Sequence, residues 1–346
     1  MGQYVGLDVS LKEISICVVD EEGAVVHRST VATDPEAIAK NFAEKGLRPD
    51  RIVHESGQLS IWLHRQLEKL GLPITCIDAR LAHKALSAKL NKSDKADAEG
   101  LAQLARTGWY SEVHIRSEAS DQLHLLLNAR ERLVRLRKDL EAHVRGALKA
   151  YGIRMGSIAQ SRQRAEFRER LANAVGNDPF LGVLADTFIP LHETLCSATA
   201  DLDAELKTIS QESPLARRLM TVPGVGKMVA LSFIATVDRA ERFGRCADIG
   251  AFLGLTPRRY QSGETDWSGR ISKCGSAPMR TLLFEAASCL IRQVKRFSAL
   301  KSWAVRLAGR KGFKKAAVAT ARKIAVILLT IWKNGTEFEW KKEVAT

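Results

Sequence analysis

Two runs, YVGLDV at Tyr4–Val9 and EISICVV at Glu13–Val19, decide the fold of the first part of the chain. Both are rich in the β-branched and apolar residues that favour strands, and only three residues separate them. The tight turn Glu21-Glu22-Gly23 leads into a third such run at Ala24–Ser29. The sequence therefore predicts three consecutive strands that form a meander.

Helices and strands alternate after this meander. Amphipathic helices are predicted near residues 34–45 and 60–70, strands at Arg51–Glu55 and Ile74–Asp78, and helical segments from Arg80 and from about Lys95. The order β-β-β-α-β-α-β-α is the ribonuclease H-like arrangement. We therefore predict an α/β domain over residues 1–112.

A long helix with a heptad repeat is predicted next. The segment Ser117–Ala150 contains no Pro and one Gly. Its apolar seam consists of Leu126, Leu133, Leu140 and Ala147, with Ala129, Leu136 and His143 between them. A second helix is predicted at about residues 178–211, interrupted at Pro190. We predict a helical coiled-coil region at 113–214, whose two helices pair antiparallel as an insertion or join a partner chain.

The charge of the chain is strongly basic and unevenly placed. The 346 residues carry 53 Lys and Arg against 39 Asp and Glu, a net charge of +14, and residues 291–346 hold 14 basic residues against three acidic ones. These residues end a mostly helical C-terminal domain predicted at 215–346. Such a basic segment indicates a polyanionic partner, above all nucleic acid, and a solvated Lys-rich helix surface is the alternative.

Composition excludes several classes of protein. With 45% apolar and 27% charged residues, the chain matches an ordinary globular protein rather than a disordered one. Its longest apolar stretch, Ile324–Trp332, is nine residues, about half of the roughly 20 that span a bilayer. The N-terminus lacks the pattern of a secretory signal, so we expect no membrane association and a cytoplasmic protein. Six scattered cysteines form no CxxC pair, which favours reduced thiols.

Four acidic residues stand where the predicted elements bring them together. Asp8 ends the first strand, Glu55 ends the fourth, and Asp94 and Asp97 open a helix. Asp94 and Asp97 share the helix face of Leu101 and Leu104, which must turn toward the sheet. We therefore expect the four carboxylates to converge at the carboxyl ends of the strands.

Four carboxylates repel one another unless cations neutralise them, and hard oxygen ligands select Mg²⁺ or Mn²⁺. Two ions roughly 3.5–4 Å apart would stabilise the attacking and leaving oxygens of a phosphodiester displacement. We therefore predict a site for two Mg²⁺ or Mn²⁺ ions. Each acid alone is weak evidence, and Asp20, Asp78 and Glu99 are nearby structural alternatives.

The segment Thr221–Ala230 (TVPGVGKMVA) resembles the hairpin of a helix-hairpin-helix DNA-binding motif. Gly224 and Gly226 would let backbone N–H groups approach a phosphate at a helix N-terminus, and Lys227 would add charge. A simple turn between two helices is the alternative.

The segment Phe252–Gly275 is rich in Gly, Ser and Arg and is predicted as an exposed loop that holds a phosphate backbone. Ser262, before Gly263, is a candidate nucleophile, and Trp267 stacks on a base or caps the core. Plausible phosphate contacts are Lys92, Lys95, Arg258, Arg259, Arg270 and Lys273.

The motifs together identify a family. GLDVS, VHESG, KSDKADAEGLA, TVPGVGKMVA and FLGLTPRRYQSGETDWSGRISKCGSAPMRTLLFEAA occur in the order that DEDD-type transposases of the "IS one-ten" insertion-sequence family have, over essentially the whole chain. The resemblance implies a RuvC-like domain at 1–112, a coiled-coil insertion and a C-terminal transposase domain. It also implies that Asp8, Glu55, Asp94 and Asp97 are the metal-binding DEDD acids.

By the same resemblance, Ser262 is the serine that becomes covalently joined to DNA. Many relatives have two serines before the glycine, whereas here Gln261 stands in the first place, and Ser268 before Gly269 is a second candidate. Relatives act as tetramers in which the RuvC-like domain of one subunit meets the serine domain of another. They use a non-coding RNA from the element to pair with donor and target DNA.

The leading hypothesis is an RNA-guided DNA transposase or recombinase with a two-metal site and a serine nucleophile. It would form dimers that assemble into tetramers. One alternative is a RuvC-like junction-resolving nuclease that cuts with water and forms no covalent intermediate. Another is a non-catalytic nucleic-acid-binding remnant of a mobile element, against which the intact set of four acids argues.

Overall fold

The computed structural model describes residues 2–86, 94–156, 158, 162–176, 178–263 and 265–340. Contacts divide the chain into two compact units, Met1–Arg116 and Ser117–Thr346. The first boundary lies close to the end of the α/β domain that the sequence predicts at residue 112.

The first unit is built on one five-stranded mixed sheet. Its strands are β1 (Tyr4–Val9), β2 (Glu13–Val19), β3 (Val25–Ala32), β4 (Arg51–Glu55) and β5 (Ile74–Ile77), in the order β3-β2-β1-β4-β5. Strand β2 is antiparallel to β1 and β3, and β1, β4 and β5 are parallel. The element order and the strand order match the ribonuclease H-like arrangement that the sequence predicts.

Helices cover both faces of this sheet. They are α1 (Pro35–Glu44), α2 (Ser60–Lys69), α3 (Ala79–Leu86) and α4 (Asp94–Thr107). Side chains alternate along a strand, so Val5 and Leu7 of β1 pack with α1 and α2 in one apolar cluster. Gly6 points the other way and touches α4: a Cβ on Gly6 would lie 2.1 Å from the Ala98 carbonyl oxygen. Only a residue without a side chain allows this close approach.

The second unit is mostly helical. Its helices are α5 (Glu118–Ala147), α6 (Arg162–Val175), α7 (Pro179–Glu212), α8 (Pro214–Leu219), α9 (Lys227–Val237), α10 (Ile249–Phe252), α11 (Ala277–Arg292), α12 (Ala299–Lys311) and α13 (Phe313–Asn334). One hairpin, β6 (Pro257–Ser262) and β7 (Thr265–Ile271), interrupts them. The largest apolar cluster joins α9, α11 and α13 around Phe233, Leu283 and Leu328. Within the described part of the chain, no helix has the length and apolarity that a membrane span needs.

Helices α5 and α7 pair antiparallel within the chain. The side chain of Arg130 forms an ion pair with Asp203 at 2.8 Å, and Glu141 contacts His192 at 3.0 Å, so residue numbers rise along one helix as they fall along the other. Of the two arrangements left open by the sequence, the structure therefore has the intramolecular one. Pro190 lies inside a continuous α7 and does not end the helix, contrary to the expected interruption.

The predicted heptad seam of α5 matches the buried face only in part: Leu126 and Leu140 pack against apolar clusters, and other predicted positions do not. Leu136 is 38% exposed, and Ala129 and His143 face solvent, whereas Leu127 and Val144 are buried. Polar Arg137 and Glu141 are buried as well, because each reaches a charged or polar partner: they pair with each other at 3.2 Å, and Glu141 also meets His192. Counting apolar residues misplaces the positions that face solvent, because partnered polar groups occupy part of the buried face.

The helical region and the C-terminal part belong to one compact unit, although the sequence analysis divides them at residue 214. The reason is an apolar cluster in which Leu127 of α5 and Leu206 of α7 pack against Leu231 and Ala235 of α9. The three-domain division therefore remains a prediction, and the contact pattern follows two units.

Candidate functional site

Asp8 and Glu55 lie side by side on one face of the sheet. Strands β1 and β4 are parallel, with Leu7 opposite His54, and the next residues along the two strands are Asp8 and Glu55. Gly6 and Val53, two residues earlier, both contact α4 residues, so Asp8 and Glu55 belong to the same face. Both acids are half-buried.

Helix α4 begins at the same end of the sheet. The middle of α4 crosses β1 at Gly6. Its last turns reach the opposite end of the strands, where the side chain of Gln103 donates to the Gly23 carbonyl at 2.7 Å and that of Arg106 donates to the Glu21 carbonyl at 3.2 Å. The turn Asp20–Ala24 adjoins the start of β1, since Val19 pairs with Tyr4. The helix therefore runs antiparallel to β1 and starts near the carboxyl ends of β1 and β4.

Asp97 stands on the stripe of α4 that faces β4 and β5. Leu101 and Leu104, one and two turns later, are buried against Val53 and Ile77, as the sequence predicts. Asp97 itself is half-buried, and the side chain of Asp94 lies outside the described residues. Three of the four predicted acids are therefore placed at one end of one sheet face.

The donor set at this end suits a hard divalent cation, because every predicted ligand is a carboxylate. Among the side chains that the structure describes, no three His, Cys, Asp or Glu residues are close enough together to hold a metal ion. The side chain of Asp94, which follows residues 87–93 along the chain, lies outside those described side chains. The assignment of Asp8, Glu55, Asp94 and Asp97 as metal ligands therefore stays a prediction.

The three alternative acids have structural partners. Asp20 accepts hydrogen bonds from the backbone of Glu22 and Ala24 and so closes the turn between β2 and β3. Glu99 pairs with Arg28 at 2.6 Å. Asp78 caps α3, and its hydrogen bond from the Arg80 side chain lowers the pKa of the Asp78 carboxyl.

His54 is a buried polar residue that the sequence analysis did not single out. Its side chain is 0% exposed, and neither ring nitrogen has a hydrogen-bond partner among the described residues. Burial, with a smaller contribution from the positive charge of His64, lowers the pKa of His54 to about 4. The ring is therefore neutral at pH 7, and its only sequence sign is its place directly after the apolar pair Ile52 and Val53.

We expect His54→Leu to flatten the acid side of the stability profile. The folded pKa of about 4 lies below the value of 6.5 of an exposed histidine, so the unfolded chain takes up the proton first as pH falls. This loss of stability begins near pH 6.5 and is complete near pH 4, and it amounts to about 3 kcal/mol. Urea unfolding at pH 7 and 4 measures it. As a control, replacement of the exposed His83 by Gln should keep the wild-type pH dependence. If His54→Leu loses as much stability between pH 7 and 4 as the wild type, the buried His54 is not the cause of that loss.

The segment predicted as an exposed loop is a β-hairpin instead. Strands β6 and β7 pair antiparallel, with Tyr260 opposite Trp267 and Ser262 opposite Thr265. The strands form because alternate residues pack across the pair: the rings of Tyr260 and Trp267 stack at 4.3 Å between centroids. The exposure was predicted correctly, since every described residue of β6 is exposed.

The two candidate serines differ in their surroundings. Ser262 is the last residue of β6, exposed, and directly before the turn at Gly263, which has a φ of +55°. Ser268 lies opposite Arg259 in the middle of β7. A hydroxyl at a hairpin tip meets a long substrate with less obstruction than one inside the ladder, and this favours Ser262.

Some of the predicted phosphate contacts form hydrogen bonds within the protein, and others line a groove. Arg259 donates two hydrogen bonds to Asp266, at 2.9 and 2.6 Å, and Arg258 donates to the Ser272 carbonyl at 3.2 Å. Arg270 and Lys273 border a groove beside the hairpin. The placement of Lys92 and the side chain of Lys95 lies outside the described residues.

The helix-hairpin-helix segment forms a tight turn between α8 and α9, but two of its residues serve packing. Gly224 has a φ of +88°, and a Cβ there would lie 2.4 Å from the Ala286 carbonyl oxygen of α11. The ammonium group of Lys227 donates to the Asp203 carbonyl at 2.8 Å and lies 3.5 Å from its carboxylate. Gly226 is exposed at the start of α9. Phosphate binding by this segment therefore remains a prediction, and Gly224 and Lys227 have structural partners.

The chain is similar to known transposases along most of its length. A model described as "Transposase" matches residues 5–153, and the model of the transposase IS116/IS110/IS902 family matches residues 216–302. The transposase for insertion sequence element IS1111A of Coxiella burnetii is 31% identical over 335 residues, which cover 94% of this chain and 88% of the relative.

Two further transposases are similar to this chain over most of its length. A probable family 20 transposase of Pseudomonas aeruginosa is 28% identical over 96% of this chain and 97% of its own. The transposase for IS1328 of Yersinia enterocolitica is 26% identical over 84% of this chain and 86% of its own. Thermus thermophilus RuvC in complex with a Holliday junction substrate is similar at 18% identity and a TM-score of 0.26, over 33% of this chain and all of RuvC.

Proposed function

Because the chain belongs to the IS116/IS110/IS902 family of insertion-sequence transposases, we propose that it cuts and rejoins donor and target DNA through a metal-dependent RuvC-like site and a covalent serine–DNA intermediate. The observation that carries the proposal is the placement of Asp8, Glu55 and the start of α4 at one end of one sheet face. In a transposase, such an acidic sheet end is a natural site for phosphodiester chemistry.

Asp8, Glu55, Asp94 and Asp97 would hold one or two Mg²⁺ or Mn²⁺ ions. Bound ions of this kind supply charge stabilisation for the attacking and leaving oxygens at phosphorus. The protein's own part is to keep the carboxylates at the sheet end. Two rigid parallel strands fix Asp8 and Glu55, and the close packing of α4 on Gly6 fixes the start of the helix that carries Asp97.

Ser262 would be the nucleophile. Its Oγ attacks the phosphorus of the scissile phosphodiester, a new Oγ–P bond forms, and the bond from phosphorus to the deoxyribose oxygen breaks. The serine proton passes to water as the attack proceeds, and the departing deoxyribose oxygen takes up a proton from water. Attack by a free strand end on the phosphoserine reverses these bonds, rejoins DNA and releases the serine hydroxyl.

The partners we propose are donor DNA, target DNA and an RNA encoded by the element. The net charge of +14 supports polyanionic partners. We further propose a homo-oligomer, a dimer that assembles into a tetramer, as the family resemblance implies.

A trapping experiment tests this mechanism. Purified protein with the element's RNA, Mg²⁺ and labelled donor and target DNA is resolved under denaturing conditions. We expect a DNA-linked protein band for the wild type and its complete loss in Ser262→Ala, because alanine has no oxygen to form the bond to phosphorus. Ser268→Ala is the matched control, in the same hairpin and exposed, and should keep the band.

Two results would overturn the assignment of Ser262 as the nucleophile. If wild type and Ser262→Ala both cut DNA and neither forms the linked band, the protein is a nuclease that uses water. If Ser268→Ala loses the band and Ser262→Ala keeps it, the nucleophile is Ser268. Loss of both cutting and linkage in Ser262→Ala, with binding intact, supports the proposal.

A further inference from the structure

A large groove of about 2000 Å³ opens beside the hairpin of the second unit. Residues of the hairpin, α12 and α13, together with residues 336–339, line the groove. A volume of this size exceeds the roughly 300–1,000 Å³ of typical small-molecule pockets. The groove therefore suits an extended occupant.

Basic side chains dominate the charge of the groove. They are Arg258, Arg270, Lys273, Lys314, Lys315, Arg322 and Lys323, and the acidic lining residues are Glu337 and Glu339. The sequence points to the three on and beside the hairpin, but the four on α13 come together with them only through folding. This excess of positive charge matches a polyanion.

Aromatic rings are interleaved with these charges. Trp267 is 53% exposed and lies with one face on Tyr260, at 4.3 Å and an interplanar angle of 16°. Across the groove, the Lys323 ammonium lies 4.0 Å from the centre of the Trp303 ring. Rings next to cations offer stacking for a base together with charge for its phosphate.

The chemistry of the lining selects among polyanions. In a duplex the bases stack on one another, and protein rings reach them only if a base leaves the helix. A single strand presents its base faces to the protein, and stacking on aromatic side chains is its usual mode of recognition. A second copy of this chain is a poor occupant, because it carries the same net charge of +14.

We propose that this groove binds an unpaired nucleic-acid strand, with its bases on Trp267 and Trp303 and its phosphates on the basic residues of the hairpin and α13. This inference rests on the proposed function, and it assigns the surface that holds the nucleic-acid strand during that reaction. Ser262 and Tyr260 point to the same face of β6, two residues apart, which is roughly 6.6 Å along a strand. A strand that lies along the hairpin would thus pass the serine hydroxyl.

Binding of short oligonucleotides to the full chain tests the proposal. We would measure fluorescence anisotropy in EDTA, which prevents metal-dependent cutting, with a labelled 12-nucleotide DNA, the same RNA sequence, and a hairpin duplex. We expect the single strands to bind more tightly than the duplex. Trp267→Ala and Trp303→Ala should each raise the Kd for a single strand about 10-fold or more.

Matched variants separate stacking from loss of structure. Trp109→Ala removes a tryptophan that is 74% exposed in the other unit and should leave the Kd within about 2-fold. Trp303→Phe keeps a ring and should recover most of the affinity. A 2-aminopurine base in the strand should be quenched by the wild type and not by Trp267→Ala. If Trp303→Ala misfolds, as circular dichroism would show, the surface variant Trp267→Ala decides the question.

The proposal is wrong if the duplex binds as tightly as the single strands, or if both tryptophan variants bind like the wild type. If the tryptophan variants raise the Kd for DNA alone, the groove holds a DNA strand, and if they raise it for RNA alone, it holds the guide. If they raise both, the groove accepts any unpaired strand. The outcome is independent of the serine mechanism, because binding is measured without cutting. Failure of the trapping experiment with intact Trp-dependent binding would remove the mechanism and leave the groove assignment.

Discussion

Asp8→Asn is expected to lower the rate of DNA strand transfer about 10³-fold, which corresponds to about 4 kcal/mol. Asparagine keeps the size of the side chain at the end of β1 but removes its negative charge. The remaining carboxylates would then bind a divalent cation with lower affinity and would hold it away from its catalytic position. Strand transfer on a labelled substrate with Mg²⁺, resolved on a denaturing gel, measures the effect.

The same variant should keep its fold. Asp8 is only half-buried, and the apolar side chains that hold β1, Val5 and Leu7, are untouched. We therefore expect Tm to change by no more than about 3 °C. Glu44→Gln, an exposed acid on α1 that pairs with Lys40 at 3.8 Å, is the control and should transfer strands like the wild type. Wild-type activity in Asp8→Asn would remove this acid from the catalytic site.

Gly6→Ala is expected to destabilise the first unit by about 3 kcal/mol or to prevent its folding. The new methyl group would lie 2.1 Å from the Ala98 carbonyl oxygen and 2.4 Å from the Ala102 nitrogen. Both are backbone atoms, so no side-chain rotation relieves the clash, and α4 would have to move off the sheet. Urea unfolding at pH 7 measures the change in the free energy of unfolding.

Gly57→Ala is the matched control for this variant. No heavy atom lies within 4 Å of a Cβ placed on Gly57, and its φ is not positive, so we expect a change within about 0.5 kcal/mol. Gly6→Ala should lose strand transfer together with stability, because the start of α4 moves, whereas Asp8→Asn should lose strand transfer alone. Near wild-type stability in Gly6→Ala would show that α4 does not pack on β1 as described.

The predicted acidic site was readable from the sequence because it depends on short-range rules. Asp8 is the last residue but one of its strand and Glu55 is the last residue of another, and parallel neighbours place their carboxyl ends together. The spacing of Asp97, Leu101 and Leu104 then orients the helix, since the two leucines must be buried. Each step uses a period of two or 3.6 residues, which a single sequence displays.

Local sequence patterns are incomplete where a residue's contacts depend on a distant partner. Lys227 looks like a phosphate contact in its motif, yet it meets Asp203, which is 24 residues away on α7. Arg137 and Glu141 look like solvent-facing residues of a heptad, yet they are buried because α7 supplies His192. The segment around Ser262 looks like a loop, and pairing with residues beyond Gly263 makes it a strand.

The sequence by itself determined the order of the elements, the ribonuclease H-like sheet and the family, because hydrophobic periodicity and local motifs are written in neighbouring residues. Only the tertiary structure decided the pairing of α5 with α7, the antiparallel course of α4 over Gly6, and the groove that joins Trp267 to Trp303 and Lys323. These features bring together residues tens of positions apart, and their contacts come from packing, which no local pattern specifies.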